Sequence, residues 1–270
     1  IMPGFELFGD AERKELNDVL ENGVLMRYGF DGMRNGHWKA KELEQEIEKR
    51  LGIKHAQLTS SGTTALNTAL AVMGVGAGDE VIMPSFTFVA SFEAILSVGA
   101  VPVLVDIDET LTLDPAAVKA AITPKTKAII PVHLFGQCAD MEEIMAIANE
   151  HNLFVIEDNA QAIGASYTSN NGKKQKAGTI GHVASTSFFP SKNLGCYGDG
   201  GAIFTNDDNL AHFIRGIVNH GMYERYYHDV VGVNSRLDSL QAAVLKVKLK
   251  YLDFYNERRK EAALRYTKLL

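Results

Sequence analysis

Cysteine is scarce: Cys138 and Cys196 are the two in 270 residues. They are too few for a disulfide framework and lack the spacing of metal ligands, so a reduced, cytoplasmic setting without a metal site is expected. Positive charge is short as well, with 27 Lys and Arg against 33 Asp and Glu, a formal net charge of −6. That balance, with no polybasic tail, leaves no electrostatic footprint for nucleic acid. The first residues lack a basic stretch followed by an apolar run, so no signal peptide is expected there. Apolar stretches are interrupted by Gly, Pro or charge well short of a membrane span. Internal repeats and low-complexity segments are lacking too. What is present is an ordinary globular composition, 46% hydrophobic and 22% charged. The length suits one large domain, or one and a fraction, with a substantial buried core.

The opening is helical in pattern. Asp10 is placed as an N-cap, Leu16, Val19 and Leu20 form an apolar stripe, and Gly23 stands where a helix stops. A glycine-punctuated stretch runs from Arg27 to His37. Helical period returns from Ala40 to Leu51, with Leu43, Ile47 and Leu51 on one face and Gly52 as terminator. Residues 1–52 thus read as an N-terminal helical segment with a loop. Short apolar runs then start at residues 56, 80, 101, 127, 153, 184 and 201. Helical segments Thr63–Met73, Phe92–Val98, Pro115–Ile122 and Asp140–Asn149 lie between them, the last with Asp140 and Glu143 at capping-box spacing. Strands apolar nearly throughout and separated by helices predict an α/β large domain over 53–235. Its mainly parallel sheet is flanked by helices, with functional groups at the carboxyl ends of the strands. From about Leu237 the pattern is helical to residue 270, so one long helix is expected over 236–270.

Three segments carry candidate chemistry. In residues 59–66, TSSGTTAL, a strand passes into a helix. Free backbone N–H groups, hydroxyls and the positive end of the helix dipole suit a phosphate there; an ordinary N-cap turn uses the same residue types. In 153–164, LFVIEDNAQAIG, an apolar strand ends in two acids. Asp158 falls at its carboxyl end as a partner for a ligand's charged centre, a helix cap or a metal ligand. In 186–195, TSFFPSKNLG, Lys192 follows an apolar strand amid Phe188, Phe189 and Pro190. A partly desolvated lysine loses its proton readily, and the neutral amine forms a Schiff base with an aldehyde.

The order and spacing of these segments resemble the fold-type I pyridoxal-phosphate enzymes and, within them, the sugar aminotransferase family called DegT/DnrJ/EryC1/StrS. The resemblance rests on SSGTTAL at 60–66, PSFTFVA at 84–90, PVHLFGQ at 131–137 and EDNAQAIGA at 157–165, then SFFPSKNLG at 187–195, GDGGAIFTN at 198–206 and GVNSRLDSLQAA at 232–243. It implies pyridoxal 5′-phosphate as cofactor, linked to Lys192, which also moves the proton between the donor's Cα and the cofactor's C4′. Asp158 is implied to keep the pyridine nitrogen protonated, which maintains the ring as an electron sink. Gln161 matches the hydrogen-bond partner of the ring hydroxyl. Gly62, Thr63 and Ser187 match the phosphate ligands, and Phe88 the aromatic stacked on the ring. Asn234 matches an asparagine that reaches a neighbouring subunit's site, implying a homodimer with shared active sites. Glutamate is the implied amino donor. His133 reads either as a residue over the ring or as a strand-end histidine satisfied by backbone. Arg236 reads as a substrate-carboxylate ligand or as half of an interface ion pair, and His220, before Gly221, as a turn residue.

The match departs in two places. Members of the family are longer and end in a smaller domain over the active-site mouth, so the expectation is a large domain with that C-terminal small domain absent. Residues 27–38, RYGFDGMRNGHW, also exceed the family's short turn. This segment, and PGFELFGDAERKEL at 3–16, are similar to members that aminate 8-oxo-3-deoxy-manno-octulosonate for lipopolysaccharide. Arg27, Arg34, Lys39 and Lys41, interleaved with Tyr28, Phe30 and Trp38, read either as a solvated basic loop or as a pocket. In the second reading Arg27 and Arg34 bind a sugar bearing an anionic group. A nucleotide-diphosphate 4-keto-sugar is the alternative acceptor. Outside this activity stand a dehydratase, which has histidine at the position of Lys192, and a non-catalytic regulatory protein, which has no need of Lys192, Asp158 and Gln161 together.

Overall fold

Strands that are apolar at every position must bury both faces, and the central strands here do so against two layers of helices. The structure, a computed structural model, describes residues 9–270; the part of the N-terminal similarity that rests on 3–8 lies outside the described residues. The chain begins with α1 (Asp10–Asn22), α2 (Lys39–Leu51), β1 (His55–Thr59) and α3 (Gly62–Val72). Next come β2 (Glu80–Pro84), α4 (Val89–Ser97), β3 (Val101–Val105), α5 (Pro115–Ala121), β4 (Thr126–Ile129), α6 (Met141–His151) and β5 (Phe154–Asp158). A hairpin of β6 (Ser166–Thr168) and β7 (Lys174–Lys176) precedes β8 (Val183–Ser187), β9 (Gly201–Thr205) and α7 (Asp208–Ile217). A second hairpin, β10 (Met222–Glu224) with β11 (Tyr227–His228), leads to α8 (Ser239–Leu249) and α9 (Leu252–Leu269).

The seven strands expected from the apolar runs form one sheet of order β1-β9-β8-β5-β4-β2-β3. Pairing is parallel from β8 through β5, β4 and β2 to β3, whereas β9 is antiparallel to both β1 and β8. Alternate residues enter different cores. Val81, Met83, Ile130, Ile156 and Ile203 pack under α3, α4 and α7. On the other face Ile82, Ile129 and Val155 meet α5 and α6, while Leu58, Ala184 and Phe204 meet α2 and α8.

Two expectations at the ends change. Gly9, not Asp10, caps α1, and the Glu12 carboxylate accepts the Gly9 N–H at 2.9 Å, leaving Asp10 as an acidic first-turn residue. The helix expected over 236–270 is two helices, interrupted at Lys250–Tyr251, where the Tyr251 N–H donates to Lys248 O. Neither residue is Gly or Pro. The break falls where burial drops from most of α8 to Leu252 and Tyr255 of α9. Among the described residues no helix is long and apolar enough to cross a membrane.

Candidate active site

Because β9 runs against its neighbours, the carboxyl ends of β1, β2, β4, β5 and β8 share one edge of the sheet with the amino end of β9. A cavity of about 320 Å³ opens at that edge, within the range of roughly 300–1,000 Å³ typical of small-molecule sites. Gly62, Thr63, Phe88, Asp158, Gln161, Ser187 and Lys192, all expected from the sequence, line it.

One end is the start of α3. Ser61 Oγ accepts the Thr64 N–H at 3.1 Å, and Thr64 Oγ1 accepts the Ser61 N–H at 3.2 Å, so the cap is closed by its own residues. The N–H groups of Gly62 and Thr63 precede the first intrahelical bonds and face outward with the helix dipole behind them. Gly62 is required here: a Cβ on it would lie 2.7 Å from Ser187 Cβ. The absent side chain lets the Ser187 hydroxyl and the helix start line the same cup.

Asp158, 5% exposed at the end of β5, forms another wall. Its Oδ1 accepts the Ala160 N–H at 3.1 Å, and its Oδ2 accepts the Ser91 hydroxyl at 2.8 Å. Lys192 lies half-buried beyond β8. Burial holds its ammonium below the ordinary lysine range; Asp158 opposes that and Arg259 adds to it. Gln161 Oε1 accepts the Phe135 N–H at 2.8 Å, which fixes the amide so that its Nε2 is the end available to a ligand oxygen. Phe88, 67% exposed, offers an aromatic face. A wider hollow of about 790 Å³ adjoins the cavity at Gln161, Ser191 and Lys192 and carries Arg259 and Lys260 of α9.

The family model described as the DegT/DnrJ/EryC1/StrS aminotransferase family matches residues 8–270. The chain belongs to that family. It is 51% identical over 239 residues to UDP-2-acetamido-2-deoxy-3-oxo-D-glucuronate aminotransferase of Pseudomonas aeruginosa, covering 87% of this chain and 65% of that protein. It is 55% identical over 231 residues to a pleiotropic regulatory protein of Geobacillus stearothermophilus, covering 85% of this chain and 61% of that one. The chain thus spans 61–65% of the length of these curated relatives. Among solved structures, DesV of S. venezuelae in complex with a ketimine intermediate superposes with a TM-score of 0.87 at 41% identity, covering 95% of this chain and 66% of that one.

For a member of the DegT/DnrJ/EryC1/StrS family the donor set fits pyridoxal phosphate. Outward N–H groups and hydroxyls of Gly62, Thr63 and Ser187 suit the phosphate, the Asp158 carboxylate suits a pyridinium nitrogen, and Gln161 Nε2 suits the ring oxygen.

Arg27 and Arg34 do not line this cavity. Arg27 is buried against Glu44, with Nη2 2.5 Å from Oε2. Arg34 donates to Gly29 O at 2.8 Å and Met26 O at 2.6 Å, with its guanidinium 4.3 Å from the Trp38 ring centroid. Lys39 pairs with Glu15 and Asp18. Arg27 and Arg34 thus meet an internal carboxylate and internal carbonyls, and neither lines the cavity of its own chain.

Asn234 is exposed, outside the cavity of its own chain, and bridges to Asn219 through backbone. Arg236 donates to Asn219 Oδ1 at 3.0 Å. His220 is a turn residue, as expected: its φ is 62°, its N–H donates to Val233 O, and it precedes Gly221 at φ 73°. His133 is fully buried; its Nδ1 accepts the Ala139 N–H at 3.2 Å, so Nε2 carries the proton that it donates to Glu157 Oε2 at 2.8 Å.

Sequence reasoning overlooked Glu157, Thr87 and Ser91. Glu157 is the first of the two acids at the end of β5, and it also accepts N–H groups from Gly178, Ile180 and Gly181 at 2.6–2.7 Å. Its signal was a carboxylate inside an apolar run. Ser91 was hidden because the helix was expected to start at Phe92, whereas α4 begins at Val89 and places Ser91 in the first turn.

Proposed function

We propose that this protein binds pyridoxal phosphate and transfers an amino group from glutamate to an oxidised carbon of a sugar. The observation that carries the proposal is the convergence of Lys192, Asp158 and the start of α3 on one cavity from three separate elements. Bound there, the cofactor supplies the electron sink for amino-group chemistry. The N–H groups of Gly62 and Thr63, with the Ser187 and Thr63 hydroxyls, hold the phosphate. Asp158 presents negative charge to the pyridine nitrogen, Gln161 Nε2 donates to the ring oxygen, and Phe88 covers a face and excludes water from it. Lys192 anchors the cofactor. Burial eases loss of its proton, so a freed Nζ would take the proton leaving the donor's α-carbon and deliver it to the cofactor's C4′. Asn234 completes a neighbouring subunit's site in a homodimer.

The acceptor is a nucleotide-linked keto-sugar. The Pseudomonas relative is named for a UDP-linked 3-oxo sugar acid, and Arg259 and Lys260 in the adjoining hollow provide charge for phosphate or carboxylate. The octulosonate acceptor rested partly on Arg27 and Arg34, whose charges are engaged elsewhere. A regulatory role is supported by the name of the Geobacillus relative.

One experiment separates these readings. Protein loaded with pyridoxal phosphate should be yellow and lose the colour with glutamate. The bleached protein is then offered UDP- and dTDP-linked keto-sugars and 8-oxo-3-deoxy-manno-octulosonate. Return of colour with the nucleotide-linked ketones is expected. Return with the octulosonate alone would reinstate that acceptor, and failure to take up cofactor would leave the regulatory role.

A further inference from the structure

The carboxylate of Asp158 is held from two directions. The Ala160 N–H reaches Oδ1 from the turn that Asp158 itself begins, so that bond moves with the residue. The Ser91 hydroxyl reaches Oδ2 at 2.8 Å from α4, 67 residues earlier in the chain. A serine in the first turn of a helix commonly directs its hydroxyl to nearby backbone. Here the side chain is 1% exposed and turned away from its own helix to a carboxylate in another element. With its proton given to Asp158, Ser91 Oγ is left as an acceptor, and Thr87 Oγ1 lies 3.1 Å from it. The direction is therefore Thr87 to Ser91 to Asp158, since an ionised carboxylate only accepts. Thr87 lines the cavity, so the chain of hydroxyls starts at the ligand's edge and ends at the buried acid.

The same turn also bears the aromatic face. Phe88 caps α4, and its carbonyl accepts the Ser91 N–H at 3.2 Å. A rigid turn thus links the side chain that would cover the ring to the side chain that orients the acid facing the ring nitrogen.

We propose that Ser91, aligned by Thr87, is a positioning residue that sets the Asp158 carboxylate against the pyridine nitrogen of the cofactor. The proposal rests on the reading that the cavity binds pyridoxal phosphate. Ser91→Ala removes the hydroxyl and leaves the acid without its cross-element bond. Losing a hydrogen bond to a charged group lowers kcat by roughly ten- to hundredfold. The Michaelis constant for glutamate is expected to stay near the wild-type value, because Ser91 does not reach the substrate.

A purely structural serine would not alter the electronic state of the ring. The ¹⁵N chemical shift of labelled pyridoxal phosphate bound to Ser91→Ala should move from the protonated-pyridine value of the wild type toward the neutral one, and the Ser91→Thr variant, which keeps the hydroxyl, should restore it. If Ser91→Ala does not fold, Thr87→Val removes only the hydroxyl behind Ser91 and should move the shift in the same direction by less. A wild-type shift in whichever of these two variants folds, with kcat unchanged, overturns the role of Ser91 alone. Failure of the wild type to take up pyridoxal phosphate overturns this proposal together with the proposed function.

Discussion

Lys192 carries two expected duties, anchoring the cofactor and moving a proton, and neither survives truncation. Lys192→Ala should abolish turnover while leaving the thermal unfolding curve unchanged, because the side chain lies at a cavity wall and not in an apolar cluster. In the wild type, borohydride should attach the cofactor to one lysine; a peptide map placing it anywhere but Lys192 would refute the site. Asp158→Asn keeps the size and removes the charge, so cofactor should remain bound while the rate falls by about two to three powers of ten. Near-normal turnover would end the electrostatic role of Asp158. At this scale the sequence was informative where a residue's neighbours constrained its surroundings. Lys192 among Phe188, Phe189 and Pro190, and Asp158 at the end of an apolar strand, could hardly face bulk water. It was uninformative where direction mattered. Counting Arg27 and Arg34 as available cations could not reveal that Glu44 and the carbonyls of Gly29 and Met26 face them.

Elements carry the next two tests. The turn from β1 into α3 holds its cup open because position 62 has no side chain. Gly62→Ala should destabilise the protein by about 1–3 kcal/mol in denaturant titration, and cofactor uptake measured by calorimetry should weaken in parallel. Full uptake would show that the helix start is not a phosphate site. The ends of β4 and β5 are tied by Glu157. Burial opposes its ionisation, yet the His133 ring and the N–H groups of Gly181 and Gly178 outweigh that and hold the carboxyl below its ordinary value of 4.5. A depressed folded-state pKa contributes stability that is present above 4.5 and lost as the pH falls through the folded value. Glu157→Gln should therefore cost about 1.5–3 kcal/mol near neutrality, the worth of a hydrogen bond to a charged group, and the gap to wild type should close in acid. A gap independent of pH would refute the ionised state of the Glu157 carboxylate. Most strands were legible because residues apolar on both faces mark buried sheet. The reversed direction of β9 was not, since periodicity is the same read either way, and neither were β6–β7 and β10–β11, whose three- and two-residue strands are too short to show a period.

For the whole molecule, the proposed sharing of sites between subunits is testable by mixing. Asn234→Ala and Lys192→Ala proteins should each be impaired, and a hybrid dimer would hold one site with both defects and one with neither. Activity should partly return once subunits exchange; demonstrated exchange without recovery would place Asn234 in its own chain's affairs or exclude such a dimer. The position of β9 has a further consequence, for the order of events during translation. β1 pairs His55 with Thr205 and Thr59 with Gly201, so its strand partner leaves the ribosome some 150 residues after it. The pairings among β2, β3, β4 and β5 involve no residue beyond Asp158. Gly201 also packs against the Ser61 backbone that opens the phosphate cup. On the growing chain, the half bearing the acid can assemble while the half that would hold the phosphate still waits for its last strand.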